Sequence, residues 1–193
     1  MGLHQVVCGL ARSPARHLFL FAERSPSVYA GRRYRAHGIE FDRIVGWEAA
    51  KVNHTKFWNA VPKELKPRFS YFNAPVSADP KSGDNLWYHV KAQARPEDYV
   101  VVKLDIDNNA VETELVRQLL DDPAVLELVD EFFWEHHVWG SPLHRTRVSL
   151  FGTKNIGWWQ HMPDRGARDT RLRDSYRIFT ELRENGIRAH AWV

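Results

Sequence analysis

The run Tyr99–Leu104 (YVVVKL) constrains this chain more than any other stretch. It is short, β-branched and nearly continuous, which is how the central strand of a parallel sheet reads, because such a strand is covered on both faces. Parallel neighbours need a crossover connection, usually a helix, and a helical pattern follows at once. A helix is expected from Asn109, with Glu112 three residues on completing a capping box. Val111, Leu115, Val116, Leu119 and Leu120 supply its apolar face. Asp121-Asp122-Pro123 interrupts it, and a helical turn from Ala124 to Val129 leads into Phe132–Val138 (FFWEHHV), read as a further strand.

Two earlier segments read as strands: Phe41–Glu48 (FDRIVGWE), ending in an acid, and the aromatic-rich Arg68–Ala74 (RFSYFNA). The stretch from Gly140 to Arg168 is rich in Gly, Pro, Trp and His and reads as a long loop. Beyond it, Leu172, Tyr176, Phe179 and Leu182 step at helical spacing, Gly186 is a natural stop, and Ile187–Val193 reads as a last strand. Strands alternating with helices predict an α/β fold: a Rossmann-like sheet, mostly parallel, with flanking helices. With 193 residues and no repeat or linker, the expectation is a single domain.

Composition excludes several classes. Hydrophobic residues at 44% and charged residues at 26% are ordinary for a globular chain. No stretch reaches the roughly 18 consecutive apolar residues of a membrane helix, so no membrane association is expected. One cysteine, Cys8, rules out an internal disulfide framework and fits a reducing compartment. The net charge of +3 is mild but uneven. Arg12, Arg16, Arg24, Arg32, Arg33 and Arg35 crowd the first 38 residues, and five more arginines fall between Arg165 and Arg177. Without interleaved stacking aromatics, these read as solvated basic segments rather than a nucleic-acid surface. His17–Phe21 is too short for a signal-peptide core, and Val6 breaks the myristoylation pattern, so the expected location is cytoplasmic.

In an open parallel sheet, ligands bind outside the carboxyl ends of the strands. Acids fall there three times: Glu48, the pair Asp105/Asp107, and Glu135. An acid after a second strand suits a ribose diol, since one carboxylate accepts two hydroxyls. Asp-x-Asp in extended backbone puts both acids on one face, as a divalent metal on a nucleotide diphosphate requires, but the favoured reading is that Asp107 and Asn109 terminate the strand and cap the following helix. Glu135-His136-His137 looks like a metal cluster, yet within a strand only Glu135 and His137 share a face, and a third ligand would have to come from His144 or His161. The expectation is therefore no metal, with a single histidine acting as a base. Trp134, Trp139, Trp158 and Trp159 read as sheet cover or as the lining of a flat acceptor pocket.

YVVVKLDIDNNAVE (Tyr99–Glu112) resembles the segment of FkbM-type S-adenosylmethionine-dependent methyltransferases in which a hydrophobic strand runs into Lys-x-Asp-x-Glu/Asp and a helix with an early glutamate. Lys103, Asp105, Asp107 and Glu112 occupy those places. VDEFFWEHHV is similar to that family's next strand, FDRIVGWEA to the strand whose terminal acid holds the cofactor ribose, and FNAPVSAD to its third strand and turn. The resemblance spans roughly Phe41 to Val138. It departs at the first strand, where HLFLFAERSPSVYAG offers only Glu23 and Gly31 in place of a glycine-containing turn.

The resemblance implies a methyltransferase sheet binding S-adenosylmethionine. Glu48 would hold the ribose, Asp79 would lie near the adenine, and Asn73, Ser77 and Asp105 would complete the cofactor site. Asp105 or His136 would orient or deprotonate a hydroxyl on a small-molecule or sugar acceptor. The alternatives are a metal-dependent nucleotide-sugar transferase using Asp105 and Asp107, and a catalytically inactive methyltransferase-like binding module.

Overall fold

A computed structural model of the chain describes residues 14–22, 34–136 and 171–191. In chain order the elements are β1 (Arg16–Ala22), β2 (Arg43–Trp47), α1 (His54–Ala60), β3 (Phe69–Phe72), α2 (Leu86–Gln93), β4 (Tyr99–Asp105), α3 (Asn109–Asp121), α4 (Pro123–Leu126), β5 (Glu131–Trp134), α5 (Leu172–Glu184) and β6 (Arg188–Ala191). The six strands form one sheet in the order β3-β2-β1-β4-β5-β6, and every pairing is parallel. Strand order therefore reverses between β1 and β4, the switch point of a doubly wound sheet.

Val100, Val101, Val102 and Leu104 of β4 are all at most 1% exposed, so the residues that read as a central strand do lie at the centre. On one face Val100, Val102 and Leu104 join Phe19, Phe132 and Trp134 under α2, α3 and α5. On the other, Val101 joins Leu18, Ile44 and Phe69, packed by Tyr34 and by Phe57 and Trp58 of α1. Gly46 in β2 faces the Phe69 ring, which a Cβ there would approach to 3.3 Å. At the amino ends of the strands, Asp98 fastens β1 to β4. It accepts from the Ala15 N–H at 2.7 Å and the Arg95 N–H at 3.0 Å, and meets His17 Nε2 at 3.1 Å.

Arg16–Ala22, the atypical first strand, is the sheet's inner β1, in register with β4 from Arg16↔Tyr99 to Ala22↔Asp105. Four expectations are corrected. The strand expected over Phe132–Val138 stops at Trp134, where its pairing with Leu104 and Ala191 ends. Glu135 and His136 lie past the ladder, so strand alternation does not govern them. Helix α3 is capped by Asn108, whose side chain accepts from the Val111 N–H. Glu112 completes no capping box because the Ile106 N–H and the buried Trp134 indole draw it inward. On α5, Phe179 and Leu182 are buried, whereas Tyr176 points outward at 64% exposure. Gly186 does end that helix, at φ +90. Finally, α1 and α2 are not among the elements expected from periodicity. Each is short and started by an asparagine cap: Asn53 accepts from the Lys56 N–H, and Asn85 from the Trp87 and Tyr88 N–H groups.

Candidate functional site

The carboxyl ends of the strands carry two groups of side chains, one on each side of β1. The first sits on β2 and β3. The backbone N–H of Glu48 extends the β2–β3 ladder by donating to the Phe72 carbonyl at 3.0 Å. The half-buried Glu48 carboxylate accepts from the Ala50 N–H at 2.8 Å. Asn73 closes this turn: its amide donates to the Glu48 and Ala50 carbonyls, both at 2.7 Å. Burial, and then the Glu48 carboxylate, push the nearby Tyr71 phenol above its ordinary value.

At the same edge lies an aromatic shelf absent from the sequence expectations. Phe72, 38% exposed, stacks on buried Trp47 with ring centroids 4.9 Å apart and planes at 15°. His89 of α2 packs edge-on to Trp47 at 4.8 Å. Tyr88 adjoins His89 and is 55% exposed. Ser77 and Asp79 follow β3 in a local turn, in which Ser77 Oγ accepts from the Asp79 N–H and Asp79 Oδ1 from the Lys81 N–H.

The second group sits on β4 and β5. Carboxylate oxygens of Asp105, Asp107 and Glu135 all lie within 4.8 Å of one another. The Lys103 ammonium pairs with Asp105. Burial raises the Asp105 carboxyl, Lys103 pulls it back, and Glu135 adds to the rise; the balance lies above the ordinary carboxylate value. That is the direction a proton-accepting carboxylate needs. Asp107 takes φ +57, a left-handed turn that its short polar side chain tolerates. His136 stacks on Trp134 with centroids 3.8 Å apart.

Beneath this group lies Glu112, 0% exposed. One of its oxygens accepts from the Ile106 N–H at 2.8 Å and the other from the Trp134 indole at 2.9 Å. Ile106 separates Asp105 from Asp107, and Trp134 precedes Glu135. A single carboxylate thus ties together the strand ends that carry the three acids.

Comparison with known family models, curated proteins and solved structures finds no match to this chain.

The arrangement offers two kinds of chemistry. Glu48 can accept paired hydroxyls, and the Phe72 shelf can cover a planar ring. Asp105 with its neighbours can hold a proton or, through the acid trio, a hard cation. Trp134 belongs to the core, whereas Trp139, Trp158, Trp159, His137, His144 and His161, like Glu23 and Gly31, lie outside the described residues. Glu135 was legible as a strand-end acid, but its meeting with Asp105 and Asp107 depends on strand order. Among the described residues, no helix is long and apolar enough to cross a membrane.

Proposed function

We propose that the chain binds S-adenosylmethionine along the carboxyl edge of its sheet and methylates a hydroxyl of a small molecule or sugar. One observation carries this reading: Glu48 directly follows β2 at the carboxyl edge of the sheet, one strand from the β1/β4 switch point, its N–H bonded to the Phe72 carbonyl. A carboxylate at that edge can accept from both hydroxyls of a ribose, acceptor chemistry that fits a nucleoside. The sulfonium of the bound cofactor supplies the methyl group. Glu48 holds the ribose, the turn of Asn73, Ser77 and Asp79 borders the base, and Asp105 or His136 orients or deprotonates the acceptor hydroxyl.

Calorimetric titration with S-adenosylhomocysteine, without metal, tests the reading. Micromolar binding by the native chain is expected, weakened about tenfold to a hundredfold in Glu48→Ala through loss of charge-assisted hydrogen bonds. An unchanged affinity in that variant removes Glu48 from the site. A native chain that melts cooperatively and binds nothing supports the non-catalytic module instead. The acid trio favours a second reading, the metal-dependent nucleotide-sugar transferase, which requires manganese or magnesium for binding of a nucleoside diphosphate.

A further inference from the structure

Lys103 and Asp105 stand two residues apart on β4 and therefore share one face of the sheet. Their side chains are only 12% and 16% exposed. An ammonium this deep is costly unless it is paired, and three carboxylates gathered within 4.8 Å repel one another, a repulsion that a neighbouring cation or a shared proton relieves; the Lys103 ammonium pairs with one of the three, Asp105. Each problem answers the other. The ammonium is also carried on the same strand as the acid it neutralises, and pairing of that strand with β1 and β5 fixes where its stem starts.

We infer that Lys103 is a positioning residue: its ammonium is the resident cation of the Asp105–Asp107–Glu135 group, occupying the place a divalent metal would take and orienting Asp105 at the carboxyl edge. A second cation sharing Asp105 would sit against a fixed positive charge at short range, where screening is weak. The inference rests on reading Asp105 as the group that meets the acceptor. It adds that this group works through lysine rather than metal.

The test uses Mn²⁺ alone, titrated by calorimetry into the full-length native chain and into Lys103→Met and Lys103→Arg, with S-adenosylhomocysteine titrated in parallel. The native chain and Lys103→Arg are expected to show no saturable Mn²⁺ binding below about millimolar. Lys103→Met is expected to gain a site at least about tenfold tighter, the direction set by removing a like charge. Adding Asp107→Asn should abolish that gain. A gain of binding cannot come from misfolding, so a merely structural lysine would not produce it. Lys103→Gln, which keeps a donor to Asp105 without the charge, carries the same expectation if Lys103→Met fails to fold.

Two outcomes overturn the inference: Mn²⁺ binding by the native chain as tight as in Lys103→Met, or no Mn²⁺ binding in a folded, charge-free variant. Loss of S-adenosylhomocysteine binding with the expected Mn²⁺ pattern overturns the methyltransferase reading and leaves Lys103 in its role. Retained S-adenosylhomocysteine binding with strong native Mn²⁺ binding does the reverse.

Discussion

Glu112 is a fully buried carboxylate whose two oxygens accept from the Ile106 N–H and the Trp134 indole. An unmet buried donor costs about 1–3 kcal/mol. Glu112→Leu should therefore destabilise the fold by about 2–6 kcal/mol in sum, read as a lower urea midpoint at unchanged slope. Glu112→Gln should lose roughly half as much, because its amide can accept from only one of the two. Equal stability of native chain and Glu112→Leu would show that water or relaxation satisfies Ile106 and Trp134.

Glu131 makes the complementary case on the opposite face. Burial alone would raise its carboxyl, but the Tyr34 and Tyr99 hydroxyls and the His190 ring, at 2.7, 2.6 and 2.8 Å, hold it below its ordinary value of 4.5. The unfolded chain then takes up the proton before the folded one does. The stabilisation is fully present above the ordinary value and is lost as pH falls through the lowered native value. Asp98, lowered by hydrogen bonds from Ala15, Arg95 and His17 against the opposing effect of burial, acts in the same direction. The urea midpoint should drop as pH falls below 4.5. Glu131→Gln should flatten that slope; an unaltered slope would remove Glu131 as its source.

Among the elements, α2 shows what periodicity misses. Its eight residues are too few for a clear pattern, and its start depends on Asn85. That side chain caps the helix and also donates to the Ser77 carbonyl and to Gln118 of α3. Asn85→Ala should cost about 2–3 kcal/mol, a cap plus buried partners left unmet. Asn85→Asp keeps the cap and should cost less, a ranking that thermal unfolding can check. In α5 the stripe Leu172, Tyr176, Phe179 and Leu182 correctly reveals a helix, but spacing alone does not say how wide its buried face is. Phe179→Ala should cost about 3–5 kcal/mol and Tyr176→Ala no more than about 0.5 kcal/mol. Comparable losses at both positions would contradict the observed packing.

Across the whole molecule the two edges of the sheet have different work. The amino ends are fastened by Asp98, while the carboxyl ends gather the acids and the aromatic shelf. Binding of S-adenosylhomocysteine should slow amide exchange around residues 48–50, 73–79 and 105–107 and leave Ala15 and Arg95 unchanged. Uniform slowing across both edges would indicate global stabilisation rather than a ligand on the carboxyl edge.

The strand class of Tyr99–Leu104, the helix after it and the acids at strand ends were all legible in the residues, because each depends on neighbours a few positions away. Tertiary contacts settled the rest. That the Glu48 N–H bonds the Phe72 carbonyl, that Asp105 and Asp107 meet Glu135, and that Glu112 turns inward instead of capping α3 all follow from strand order and from donors distant in the chain. Local pattern sets which face a side chain takes on its own element; it carries no information about which other strand will lie 4.7–4.9 Å away.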